Sequence, residues 1–69
     1  MEVIKLKDDY IKLGQALKAA GLADSGVDAK YAIEEGKVTV NGQIEYQRGK
    51  KLRDGDVVAY AGKTVRIEA

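Results

Sequence analysis

The sequence predicts an α+β domain in which a two-helix hairpin packs on a small, mainly antiparallel β-sheet. Two runs of helical apolar spacing, Leu13-Ala16-Leu17-Ala20 and Ala29-Ala32-Ile33, each stop at a glycine, Gly21 and Gly36. Alternating apolar and polar segments follow, and Asn41-Gly42, the strongest short hairpin signal, sits between the first two. With 69 residues there is room for one domain, residues 1–69, with a modest core.

Each element has its own local cause. Residues 3–6 read as a short strand, and Lys5 and Lys7 mark it as an edge. The first helix has two candidate starts: a cap at Asp9, or an extended chain through Ile11 with the helix beginning near Lys12. Gly14 inside it costs about 1 kcal/mol relative to alanine, which implies the close approach of another backbone or of a ligand, packing being the commoner cause. Residues 22–24 are only long enough for a tight connection. Ser25 then caps the second helix, and Asp28 completes an S-x-x-D capping box. Residues 37–40 form a strand with Val38 and Val40 on one face, and residues 43–46 should pair back on it. Residues 47–53, QRGKKLR, leave that hairpin as a basic loop that bends at Gly49 and dips Leu52 into the core. Asp54-Gly55 centres a turn. Residues 57–60 and 64–67 form the last two strands, joined by a hairpin at residues 61–63.

Composition narrows the chemistry. There is no cysteine and no histidine, which removes disulfides, thiolate metal sites, the commonest metal ligand and the usual general base near neutral pH. Glu34-Glu35 point different ways on a helix, and Asp54 and Asp56 read as caps of a turn rather than ligands of a cation. No Walker or dinucleotide loop is present. The pattern points away from an enzyme, and no cofactor or metal is expected. No apolar run reaches the roughly 20 residues of a membrane span, and the N-terminus lacks a signal-peptide core. A monomeric, cytoplasmic protein with no membrane partner is expected.

Net charge is only +1, but residues 47–53 carry four basic side chains and no acidic one. Such a run is either a solvated loop or a phosphate-binding surface. Lys12, on the outer side of the first helix, and Lys30, beside buried Ala29 on the second, would flank one surface. Arg48, Lys50, Lys51 and Arg53 would extend it, and Lys37 opens the following strand. The amides at Ser25-Gly26 offer an anion site that Asp24 and Asp28 oppose. Tyr31 is a candidate for stacking on a base, although half-buried packing is the commoner role.

Several of these residues together resemble a known family. Lys12-Leu13-Gly14-Gln15, Gly21-Leu22-Ala23, Ser25 with Ala29-Lys30, Ile33-x-x-Gly36-x-Val38-x-Val40-Asn41-Gly42 and Lys51-Leu52-x-x-Gly55-Asp56-Val57-Val58 are similar to the ribosomal-protein-S-four-type RNA-binding domain, or alpha-L motif. The likeness covers about residues 10 to 60, and the length and the 48–52 segment resemble small stand-alone bacterial members. It implies a partner of structured RNA, ribosomal or transfer, bound across the helix pair and the basic loop, with Lys12, Lys30, Lys37, Arg48, Lys50, Lys51 and Arg53 as contacts. A ribosomal or RNA-bound protein is a further implied partner. Many members carry arginine at the position of Lys12 and a basic residue at that of Gly26, so the resemblance implies weaker binding here. Val38, Val40, Asn41, Gly42, Gly55 and Asp56 match as structure.

A second class of function is a small protein-interaction domain of the β-grasp type without RNA binding. Its carrier version needs a C-terminal Gly-Gly, and the sequence ends Arg66-Ile67-Glu68-Ala69. Salt separates the two readings, because phosphate binding weakens steeply with ionic strength.

Overall fold

Both helices stop where a left-handed glycine lets the chain turn back. In the computed structural model, which describes residues 2–69, α1 spans Leu13–Ala19 and α2 spans Gly26–Glu34. At the end of α1, Gly21 (φ +74°) donates its N–H to Lys18 O at 3.1 Å and Leu22 donates to Leu17 O at 2.9 Å. At the end of α2, Gly36 (φ +75°) donates to Ile33 O and Lys37 to Ala32 O, both at 3.1 Å. Each pair is a Schellman motif, which satisfies carbonyls that the helix leaves unpaired. Ser25 Oγ accepts the Asp28 N–H at 3.2 Å and fixes the start of α2.

Five strands form one sheet: β1 (Glu2–Lys5), β3 (Val38–Val40), β4 (Gln43–Ile44), β6 (Val57–Tyr60) and β7 (Lys63–Glu68), in the spatial order β1-β7-β6-β3-β4. Only β1 and β7 run parallel. Asn41-Gly42 (φ +53° and +85°) closes the β3–β4 hairpin, and Ala61-Gly62 (φ +53° and +78°) closes β6–β7 with the same backbone signs. Both are type I′ in character, the turn whose twist suits paired strands. The helices cover one face of the sheet. Leu13 and Leu17 of α1 and Ile33 of α2 are fully buried with Val38, Val58, Val65 and Ile67 of the sheet. This is the α+β architecture expected from the pattern.

One reading left open is decided by the structure, and several others differ. α1 starts at Leu13, with Lys12 as its N-cap, so Asp9 caps nothing and the extended alternative is the one that holds. β4 ends at Ile44, with one further bond from Glu45 N to Val38 O at 3.1 Å. Tyr46 has no strand residue to pair with, because Lys37, which would face it, belongs to the helix stop. Tyr46 lies against Gly36 instead. The last hairpin has a two-residue turn, so Lys63 belongs to β7.

The last difference matters most for function. The basic segment is not only a loop. β5 (Lys51–Leu52) pairs antiparallel with β2 (Ile11–Lys12) in a separate two-stranded ribbon, with Ile11 opposite Leu52 and Lys12 opposite Lys51. Two-residue strands are too short to leave a periodicity in the sequence. Among the described residues, no helix is long and apolar enough to cross a membrane.

Candidate nucleic-acid interface

The ribbon sorts its side chains by alternation. Leu52 is fully buried and Ile11 packs against the core, so these two define the inner face. Lys12 and Lys51, directly opposite one another, then point outward and are exposed. Tyr10 and Arg53, the next residues along each strand, share that outer face. Lys51 Nζ lies 4.8 Å from the centroid of the Tyr10 ring and Arg53 Cζ lies 5.6 Å from it. Both are within cation–π range. The ribbon therefore shows one aromatic ring and three cations on a single face.

The remainder of the basic segment is held by the start of α1. Leu13 N donates to Lys50 O at 2.9 Å and Gly14 N to Arg48 O at 3.0 Å. Two of the N–H groups that a helix N-terminus leaves unpaired are thus satisfied by loop carbonyls. Gln15 Oε1 accepts the Lys12 N–H at 3.3 Å. A β-carbon at Gly14 would lie 3.6 Å from Arg48 Cβ and O, an ordinary contact distance, so the loop packs beside Gly14 without requiring a glycine there. Lys12, Gly14, Gln15, Gly26, Arg48 and Gly49 line one open depression between the two helix starts and the loop. Lys30 is half-buried one helical turn beyond Gly26, on the same flank of α2.

The Arg53 end is fixed by its turn. Asp56 Oδ2 accepts the Arg53 N–H at 2.8 Å, and Asp56 Oδ1 accepts from Asn41 Nδ2 at 3.0 Å. Asn41 Oδ1 in turn accepts the Val57 N–H at 2.9 Å, and Asp54 Oδ1 accepts the Ala69 N–H at 2.9 Å. These carboxylates tie backbone together, and no group of acidic residues among the described residues is arranged to hold a metal.

Lys12, Arg48, Lys50, Lys51 and Arg53 come together on the ribbon and loop, with Lys30 on the adjoining flank of α2. None of these six forms an ion pair among the described residues. Lys37 does: its Nζ lies 3.3 Å from Glu35 Oε2. It lines a different depression, on the opposite flank of α2, with Asp24, Asp28, Glu35, Tyr31 and Tyr60. Tyr31, 57% exposed, sits among carboxylates there rather than beside the cations. Sequence reasoning missed Tyr10. The signal was present in two polar–apolar–polar triplets, Tyr10-Ile11-Lys12 and Lys51-Leu52-Arg53, which match when paired antiparallel.

Comparison with known proteins bears on the whole chain. Residues 4–68 match the family model described as the S4 domain. YbcJ of Escherichia coli is 38% identical over 63 residues, covering 91% of this chain and 90% of that protein. A Bacillus subtilis protein named "Probable ribosome maturation protein RlbA" is 42% identical over 59 residues, covering 86% of this chain and 83% of that one. The solution structure of Escherichia coli YbcJ, described as revealing an alpha-L motif involved in RNA binding, superposes with a TM-score of 0.77 at 37% identity, covering 100% of this chain and 89% of that one. With its helix hairpin, its mixed sheet and a match over nearly its full length, the chain belongs to the S4 domain family and has the alpha-L fold.

Proposed function

We propose that the protein is a non-catalytic RNA-binding module, a single domain that reads structured RNA of the ribosomal or transfer class. Its contacts are Lys12, Lys30, Arg48, Lys50, Lys51 and Arg53, with Lys37 at the periphery. The observation that carries this reading is the Lys12–Lys51 pair. Like charges directly opposite on paired strands are destabilising. A phosphate between them turns that repulsion into two charge-assisted contacts. The names of the relatives support the same direction: one is described as having a motif involved in RNA binding and one as a ribosome maturation protein. Recognition of this kind reads RNA shape and backbone rather than base sequence.

The test is a titration of the labelled domain with a structured ribosomal or transfer RNA fragment, followed by amide NMR shifts at two salt concentrations. Shifts should cluster on the ribbon, the 48–53 segment and the start of α1. If all six cations meet phosphates, affinity should fall about a thousandfold between about 50 and 200 mM salt. The double variant Lys50→Glu/Lys51→Glu should stay folded and lose most of the binding. Unchanged affinity in that folded variant would remove the loop from the interface. Absence of shifts at low salt would reject RNA binding and favour a protein partner.

A further inference from the structure

We infer that the outer face of the β2–β5 ribbon takes an unpaired RNA nucleotide, with its base stacked on Tyr10 and its phosphate between Lys12 and Lys51. This rests on the RNA-binding reading above and narrows its partner to RNA that offers a bulged or looped base at the contact.

Phosphate binding alone does not need an aromatic ring at the centre of a cationic face. Tyr10 is half-buried, and the rest of its ring meets Lys51 and Arg53 at 4.8 and 5.6 Å. A base stacked there replaces an ammonium over the ring, and that ammonium moves to the nucleotide's own phosphate. Every base has a π-face, so the platform tolerates sequence. Beside the ring lies an open depression of about 720 Å³ lined by Lys7, Asp8, Asp9, Tyr10, Lys12 and Gln15, large enough for a nucleotide.

The polarity of this depression orients the ligand. Lys12 is at one side. Asp8 and Asp9 are exposed on the loop after β1, and neither carboxylate forms an ion pair or a side-chain hydrogen bond among the described residues. They repel phosphate and accept from the amino and imino N–H groups on a base edge. Gln15 uses its carbonyl on Lys12 N, which leaves its NH₂ as a donor. A nucleotide thus fits one way round, phosphate toward the lysine pair and base edge toward the aspartates. A paired base in an A-form stem presents no free ring face, so a perfect duplex engages the cations alone.

Two RNA duplexes, each of two annealed strands and differing by one single-nucleotide bulge, test this, one bulged and one fully paired, each titrated into the wild-type domain and into Tyr10→Phe and Tyr10→Leu. Wild type should bind the bulged duplex about tenfold tighter or more. Its Tyr10 ring protons should move upfield with that RNA and stay in place with the paired one. Tyr10→Phe should keep the preference. Tyr10→Leu should lose it while holding the paired duplex as wild type does, with the same salt dependence. Equal wild-type affinity for both duplexes, with unmoved ring protons, would overturn the inference and leave phosphate binding standing. A Tyr10→Leu variant weakened equally toward both would overturn it too, reducing Tyr10 to a residue that positions Lys51 and Arg53. Binding of neither duplex would overturn the inference and the RNA-binding reading together. If Tyr10→Leu does not fold, the wild-type preference and the ring shifts decide alone.

Discussion

Lys12→Glu should make the free domain more stable and its grip on RNA weaker. Lys12 and Lys51 face each other across the ribbon, and neither has an anionic partner among the described residues. Two ammonium groups in water repel by about 1 kcal/mol at about 4 Å and by proportionately less as they separate, so the repulsion here is a fraction of about 1 kcal/mol. A glutamate at position 12 replaces that repulsion with an attraction of similar size, which doubles the change. It also sets a negative charge at the N-cap of α1, worth about 0.3–1 kcal/mol against the helix dipole. Screening at about 0.1 M salt removes much of the pair term. The net expectation is a gain of about 1 kcal/mol at low salt, or about 4–8 °C in melting temperature for a domain of this size. Circular-dichroism melts at low and high salt measure it, with Lys12→Gln expected to lie between wild type and Lys12→Glu. The same variant should bind structured RNA at least about tenfold more weakly, with a salt slope shallower by about one. A Lys12→Glu domain that melts at or below the wild-type temperature in low salt would refute the reasoning, because the lysines would then not be held face to face.

Two further substitutions probe the frame that carries this site. Gly36→Val should destabilise the domain by about 1 kcal/mol or more. Gly36 has φ +75°, and even a β-carbon there would meet Tyr46 Cε1 at 3.3 Å, so an unchanged thermal melt would show that α2 does not end at that residue. Ala61→Asn should stabilise by about 0.5–1 kcal/mol, since an alanine held left-handed is strained and asparagine tolerates that conformation. Ala61 has φ +53° in the β6–β7 turn, and a denaturant midpoint that falls in the variant would contradict the turn assignment.

The parts of the fold that were legible in the sequence are those whose signals are local. Ser25, Gly21, Gly36, Asn41-Gly42 and Asp54-Gly55 each specify a cap or turn through their own backbone chemistry, and all five sit where that chemistry requires, although of the expected Ser25–Asp28 capping box only the bond from Asp28 N–H to Ser25 Oγ forms. Leu52 was legible as a buried residue because it is the one apolar side chain in a polar run. The ribbon was not legible. Its two strands are far apart in sequence, an alternating triplet is too short to mark a strand by itself, and their register depends on how the 47–53 segment docks on α1. The parallel pairing of β1 with β7 is likewise set by tertiary packing, because a lone strand at the start of the chain carries no mark of its neighbour. The basic residues were legible as a group, while the separation of Lys37 from them depends on which flank of α2 each side chain occupies.

The loop and the helix start form one device, and charge explains why. An N-terminal helix end carries partial positive charge, so a loop rich in lysine and arginine should avoid it. Here the loop meets the helix with its carbonyls: Lys50 O and Arg48 O accept the Leu13 and Gly14 N–H groups. The oxygens neutralise two of the exposed amides. The side chains of residues 48, 50 and 51 are all exposed. On the RNA-binding reading proposed above, a phosphate would meet the cations and not the two helix amides that already have partners. Removing either carbonyl contact would free a helix amide and loosen the cations together. The geometry of the basic face is therefore as firmly held as the first turn of α1, although its charges pair with nothing in the described part of the protein.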